Sequence, residues 1–133
     1  TYHVPYYCNT YTQTAVKTGA QGLQLPLPVF RETGRQGLDP KMVLGCSVHS
    51  VQEAREAEAL GADYVIAGHI YATDCKKGLP PRGLEFLEET CRSVSLPVYA
   101  IGGIRLEWEQ IENTMAAGAM GVCVMSGAMT CEY

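Results

Sequence analysis

Short apolar runs alternate along this chain with longer segments of mixed character. The runs lie at residues 4–8 (VPYYC), 22–25 (GLQL), 43–48 (VLGCSV), 64–67 (YVIA), 97–101 (PVYAI) and 121–125 (GVCVM). They are rich in Val, Tyr and Ile and apolar at successive rather than alternate positions, which predicts strands covered on both faces, as in a parallel sheet. Between them, apolar residues recur at helical spacing. Val51, Ala54 and Ala57 share one face behind a capping box, Ser50-x-x-Glu53. Leu84, Leu87, Cys91 and Val94 share a second face, and Trp108, Ile111 and Met115 a third. Residues 10–18 predict a helix in spite of their threonines, and residues 26–37, which include Pro26 and Pro28, predict only a short one.

One phrase recurs, as "KTGAQGLQL" from Lys17, "ALGADYVIAG" from Ala59 and "AAGAMGVCVMSG" from Ala116. Each predicts a helix closed by glycine, a tight turn and a buried strand, the second half of a β/α unit. Strand-helix alternation of this kind predicts right-handed βαβ units around a parallel sheet. Six strands fall short of the eight in a closed (β/α)8 barrel. The expected architecture is therefore a single partial β/α-barrel domain over residues 1–133, without the first two β/α units and the last helix.

Composition narrows the function classes. The chain of 133 residues is 47% hydrophobic and 18% charged, values of a globular domain with a real core. A net charge of −4 argues against a nucleic-acid partner, which calls for a basic face. No apolar run reaches membrane-spanning length and no signal peptide opens the chain, so a cytoplasmic location is expected; the first residue is Thr1, which leaves room for a start upstream. The six cysteines form no Cys-x-x-Cys pair and no zinc-like cluster, so neither a metal site nor a disulfide framework is expected.

In parallel α/β folds ligands meet the carboxyl ends of the strands. Small and polar residues gather there: Asn9, Gln24, Ser47, His49, Gly68, His69, Gly102, Gly103, Ser126 and Gly127. "AIGGI" and "MSGA" follow the last two strands, and their glycines would let backbone N–H groups approach a phosphate. His69 opens the loop "GHIYATDCKKG" and is either a structural histidine or a proton carrier working near its ordinary pKa. Lys76 or Lys77 in that loop could hold an anion, whereas nothing marks Cys75 as a lowered-pKa nucleophile. His49 reads as a turn residue leading into the capping box.

The segments "GADYVIAGHIYATDCKKGLPPRGLEFL", "PVYAIGGI" and "GAMGVCVMSGAM" resemble the thiamine phosphate synthase/TenI superfamily, specifically its thiazole tautomerase branch, over about Pro5 to Met129. The resemblance implies a TIM barrel acting in thiamin biosynthesis. The synthase branch joins a pyrimidine pyrophosphate to a thiazole phosphate with magnesium held by aspartates. Here its Asn-Asp pair reads Asn9-Thr10, "LQLPLPVF" supplies no aspartate, His69 replaces a proline and Cys75 stands where Thr or Ser is usual. The tautomerase branch carries the histidine. The resemblance thus implies an isomerase in which His69 moves a proton to aromatise a carboxylated dihydrothiazole phosphate, with no metal or other cofactor. The ligand is a small-molecule thiazole phosphate held by Gly102, Gly103, Ser126 and Gly127, with Ser47, Thr73 and Lys76 as further contacts. A homo-oligomer is expected. The alternatives are a thiamine phosphate synthase-like transferase and a non-catalytic regulatory or ligand-binding homologue.

Overall fold

A computed structural model describes residues 3–130. Six strands form one sheet: β1 (Tyr7–Asn9), β2 (Gly22–Pro26), β3 (Val43–Val48), β4 (Tyr64–Ala67), β5 (Val98–Ile101) and β6 (Gly121–Cys123). Every neighbouring pair is parallel, and the spatial order is the chain order. Such a sheet never reverses direction of winding, so it is the arc of a half-barrel rather than a doubly wound sheet. Helices α1 (Thr12–Thr18), α2 (Leu27–Thr33), α3 (Val51–Ala59), α4 (Gly83–Ser93) and α5 (Trp108–Ala116) fill the connections.

Alternate strand residues carry the core. Leu23, Leu25, Leu44, Cys46, Val48, Val65, Ala67, Val98 and Ala100 are buried with Ala15, Phe30, Ala54, Ala57 and Leu87 from the helices. The opposite, concave face holds a row of tyrosines, with ring centroids 6.2 Å apart for Tyr7–Tyr64 and 5.6 Å for Tyr64–Tyr99. Opposite each tyrosine in the ladder stands a glycine: Gly22 beside Tyr7, Gly45 beside Tyr64 and Gly121 beside Tyr99. A Cβ on Gly45 would lie 2.2 Å from Cζ of Tyr64, so these glycines make room for aromatic rings leaning across from the next strand.

The expected capping box forms with its return bond shifted to the residue before the N-cap. Ser50 Oγ accepts from the Glu53 N–H at 3.1 Å, and the Glu53 carboxylate accepts from the His49 N–H at 2.6 Å. The two prolines at the start of the second connection are absorbed without a break. Pro26 ends β2 and Pro28 sits in the first turn of α2, where its missing N–H is not needed.

Three elements differ from expectation. The first strand begins at Tyr7, because His3–Tyr6 are exposed and lie outside the ladder, which starts at the Tyr7–Gly22 pair. The last strand ends at Cys123, and a single helical turn, α6 (Ser126–Met129), follows it where no helix was expected. The inward side of α5 is the third difference. Trp108 and Met115 are exposed and Thr114 is fully buried instead. Thr114 is tolerated there because its hydroxyl donates to the Gln110 carbonyl at 2.7 Å and accepts from the Tyr71 hydroxyl at 2.9 Å, leaving no polar atom unpaired. Among the described residues no helix is long and apolar enough to cross a membrane.

Candidate active site

At the carboxyl ends of the strands lies a cavity of about 280 Å3. Its wall includes Ser47 from β3, His69 and the loop residues Thr73, Cys75 and Lys76 after β4, Gly102 and Gly103 after β5, and Ser126 beyond β6. A more open cleft adjoins it, shares Thr73, Lys76, Gly103, Ile104 and Ser126, and adds Lys77, Arg105 and Gly127. The fold thus brings the whole expected set to one place, although those residues are scattered over 81 positions from Ser47 to Gly127 and belong to four separate strand ends.

His69 is held from two sides. Along one side the chain after β4 extends the ladder against β5: the Ile70 N–H donates to the Ile101 carbonyl at 3.0 Å, and the Tyr71 N–H to the Gly102 carbonyl at 3.0 Å. Gly102 adopts φ +103°. A side chain there would be strained, and its Cβ would fall 2.3 Å from Cβ of His69. Gly103 is closed in the same way, 2.3 Å from the Ala72 carbonyl oxygen. The glycine pair therefore has a packing duty that its sequence did not reveal: it admits the histidine segment.

On the other side stands Arg82, which the sequence pattern did not single out. Its Nε–H donates to the Gly68 carbonyl at 3.0 Å and its backbone N–H to the His69 carbonyl at 2.9 Å, so one residue grips both peptides flanking His69. A lone arginine in a Pro-Pro-Arg-Gly turn has no periodic signature; only the returning path of the loop gives it this role. The His69 side chain itself is buried, with Nε2 3.4 Å from the Leu79 carbonyl oxygen across the same loop.

The loop between them makes one 3-10 turn, Asp74–Lys76, capped by the Thr73 hydroxyl, which accepts from the Cys75 N–H at 3.4 Å. Cys75 is exposed beside the cavity, whereas Cys46 is buried behind the sheet and burial pushes its thiol up to about 12. Burial also raises the Cys91 and Cys123 thiols, so none of these three is a ready nucleophile. On the cavity floor Gln24 is buried, and its Nε2 donates to Ser47 Oγ at 2.9 Å. His49 reaches the cavity wall too, but its Nδ1 lies 3.4 Å from the Glu53 carboxylate, in keeping with its place at the capping box. Among the described residues, no group of three or more His, Cys, Asp or Glu side chains is arranged to hold a metal ion.

A sequence profile described as thiamine monophosphate synthase matches residues 1–128. The thiamine-phosphate synthase of Pyrococcus horikoshii is 38% identical over 123 residues, covering 89% of this chain and 56% of that protein. That of Pyrococcus abyssi is 35% identical over 133 residues, covering 96% of this chain and 61% of the relative. The solved thiamine phosphate pyrophosphorylase of Pyrococcus furiosus superposes with a TM-score of 0.79 at 33% identity, over 97% of this chain and 61% of that one. The chain thus spans about three-fifths of the length of these relatives. These matches overturn the expected isomerase. Similarity to proteins named as synthases, which are transferases, runs along nearly the whole chain, whereas the tautomerase reading rested on a few departures such as His69 in place of a proline.

Proposed function

Because the chain belongs to the thiamine monophosphate synthase family, we propose that it carries the ligand-binding arc of a thiamine-phosphate synthase-type transferase built on a (β/α)8 barrel. The reaction joins a thiazole phosphate to a pyrimidine bearing a methylene pyrophosphate. The thiazole ring nitrogen attacks the methylene carbon, a C–N bond forms, the C–O bond breaks, and pyrophosphate leaves with the bonding electrons. The observation that supports this most is the pairing of two spaces with a shared wall. One is a cavity whose wall includes the apolar Val48, Ile66, Ile101, Ile104 and Met125, suited to flat heterocycles. The other is a cleft carrying Lys76, Lys77 and Arg105, suited to phosphate oxygens.

The family's reaction implies magnesium. The residues here do not fit it: no carboxylate cluster exists among the described residues, and Asp74 is the only acid on the cleft wall. Mg2+ takes oxygen ligands and is ordinarily held by carboxylates. In this reading the charge that develops on the departing pyrophosphate is met by the lysines of the Thr73–Leu79 loop. Gly102, Gly103, Ser126 and Gly127 hold the thiazole phosphate through backbone N–H groups and the serine hydroxyl. His69, at the meeting of cavity and loop, makes a polar contact with the bound heterocycle; the substitution moves no proton between carbons.

The test supplies the full chain with both precursors and follows formation of thiamine phosphate and pyrophosphate. Product at a rate unchanged by excess chelator is expected. The missing carboxylates favour one other reading, a ligand-binding homologue without turnover. Binding of both precursors with no product would establish that reading and remove the transferase.

A further inference from the structure

We propose that Gln24 is a positioning residue that fixes the Ser47 hydroxyl as a hydrogen-bond donor toward the cavity, so that the ligand atom received there must be an acceptor. This rests on the cavity being the substrate site, as argued above. Gln24 stands on the concave face of β2 and is only 8% exposed. Its Nε2 is 2.9 Å from Ser47 Oγ, while its Oε1 is fully buried with no hydrogen-bond partner among the described residues. An amide nitrogen only donates, so Ser47 Oγ must accept, and its own proton is left for another acceptor.

Turning the amide over would pair Oε1 with the serine and bury the NH2 group unpaired. A carbonyl with unused lone pairs is better tolerated in an interior than a donor group with nothing to receive it. The observed orientation is therefore the cheaper one, and it determines the direction of the serine proton. Gly45 makes the arrangement possible. It pairs with Gln24 in the ladder, and a Cβ on it would lie 2.1 Å from Oε1 and 2.4 Å from the Tyr64 hydroxyl. Ser47 and Gln24 both line the cavity, and the buried carboxamide is bonded at its nitrogen and unpaired at its oxygen.

The experiment measures thiamine phosphate binding to the full chain by calorimetry. Ser47→Ala should weaken it roughly 3- to 10-fold, the worth of one neutral hydrogen bond. Gln24→Glu replaces the donor by a carboxylate that captures the serine proton. It should weaken binding as much as Ser47→Ala and add nothing to that variant. Gln24→Leu should give a smaller loss, since the hydroxyl can still rotate to the ligand. The Gln24 side-chain amide protons should also move in the NMR spectrum of Ser47→Ala, with or without ligand. An unmoved amide signal, or Gln24 and Ser47 losses that simply add, overturns the proposal. If thiamine phosphate fails to bind the unaltered chain, the transferase reading is what fails, and the amide signal alone decides the Gln24–Ser47 bond.

Discussion

A Cβ placed on Gly102 would lie 2.6 Å from the Cα of His69, closer than real Cβ atoms approach backbone. Two loops after neighbouring strands, β4 and β5, thus pass at backbone distance, and the position of the histidine depends on the absence of a side chain 33 residues further along the chain. Gly102→Ala is expected to destabilise the fold by about 1–3 kcal/mol through overpacking, with left-handed strain in addition. Gly19→Ala is the control. Its φ is +69° but nothing lies within 4 Å of the added carbon, so only the strain of about 1–2 kcal/mol applies. Urea midpoints of the two variants should rank in that order.

Arg82→Met removes the bond to the Gly68 carbonyl while keeping the backbone bond to the His69 carbonyl and much of the side-chain bulk. Arg82 is solvent-exposed along part of its length, so the global loss should be on the order of 1 kcal/mol or less. The larger effect is local. Amide exchange across residues 68–83 should quicken while exchange in β2 and β3 stays unchanged.

Thiol mapping separates the cysteines. Cys75 is exposed at the cavity wall, and among the cysteines of the described residues an alkylating reagent should modify it first. Cys46 has no exposed surface and a thiol pushed up to about 12 by burial, so it should remain unmodified until the chain unfolds. Pyrophosphate should slow alkylation at Cys75 if the loop beside it holds the anion. Early modification of Cys46 in the folded protein would contradict the packing described here.

The exposed Arg31–Glu56 pair, with Nη2 of the arginine 2.8 Å from a carboxylate oxygen, gives a pH dependence of known sign. The hydrogen bond from Arg31 holds the Glu56 carboxyl below its usual range. A depressed carboxyl contributes stability that is present above the unfolded value of about 4.3 and lost as pH falls through the lower folded value. Arg31→Met should therefore lower stability slightly and evenly at neutral and alkaline pH, leave it unchanged at the acid extreme, and so flatten the acid side of the profile. Thermal melts from pH 7 down to pH 3 test this.

The amino-acid sequence by itself determined the strands, their parallel pairing and the end of the sheet at which polar residues gather. Runs apolar on both faces and helices closed by Gly19, Gly61 and Gly118 are local signals, set by backbone geometry within a few residues. Tertiary structure alone decided the rest. It turned Thr114 inward and Trp108 outward, because the Tyr71 hydroxyl, 43 residues away in the chain, satisfies the threonine. It joined Gln24 to Ser47 and Arg82 to Gly68, pairs with no shared periodicity. It also gave Gly102 its packing role against His69. Periodicity records which face of an element is apolar, but a buried polar group is stable only where a distant partner completes its hydrogen bonds, and that partner is supplied by the fold.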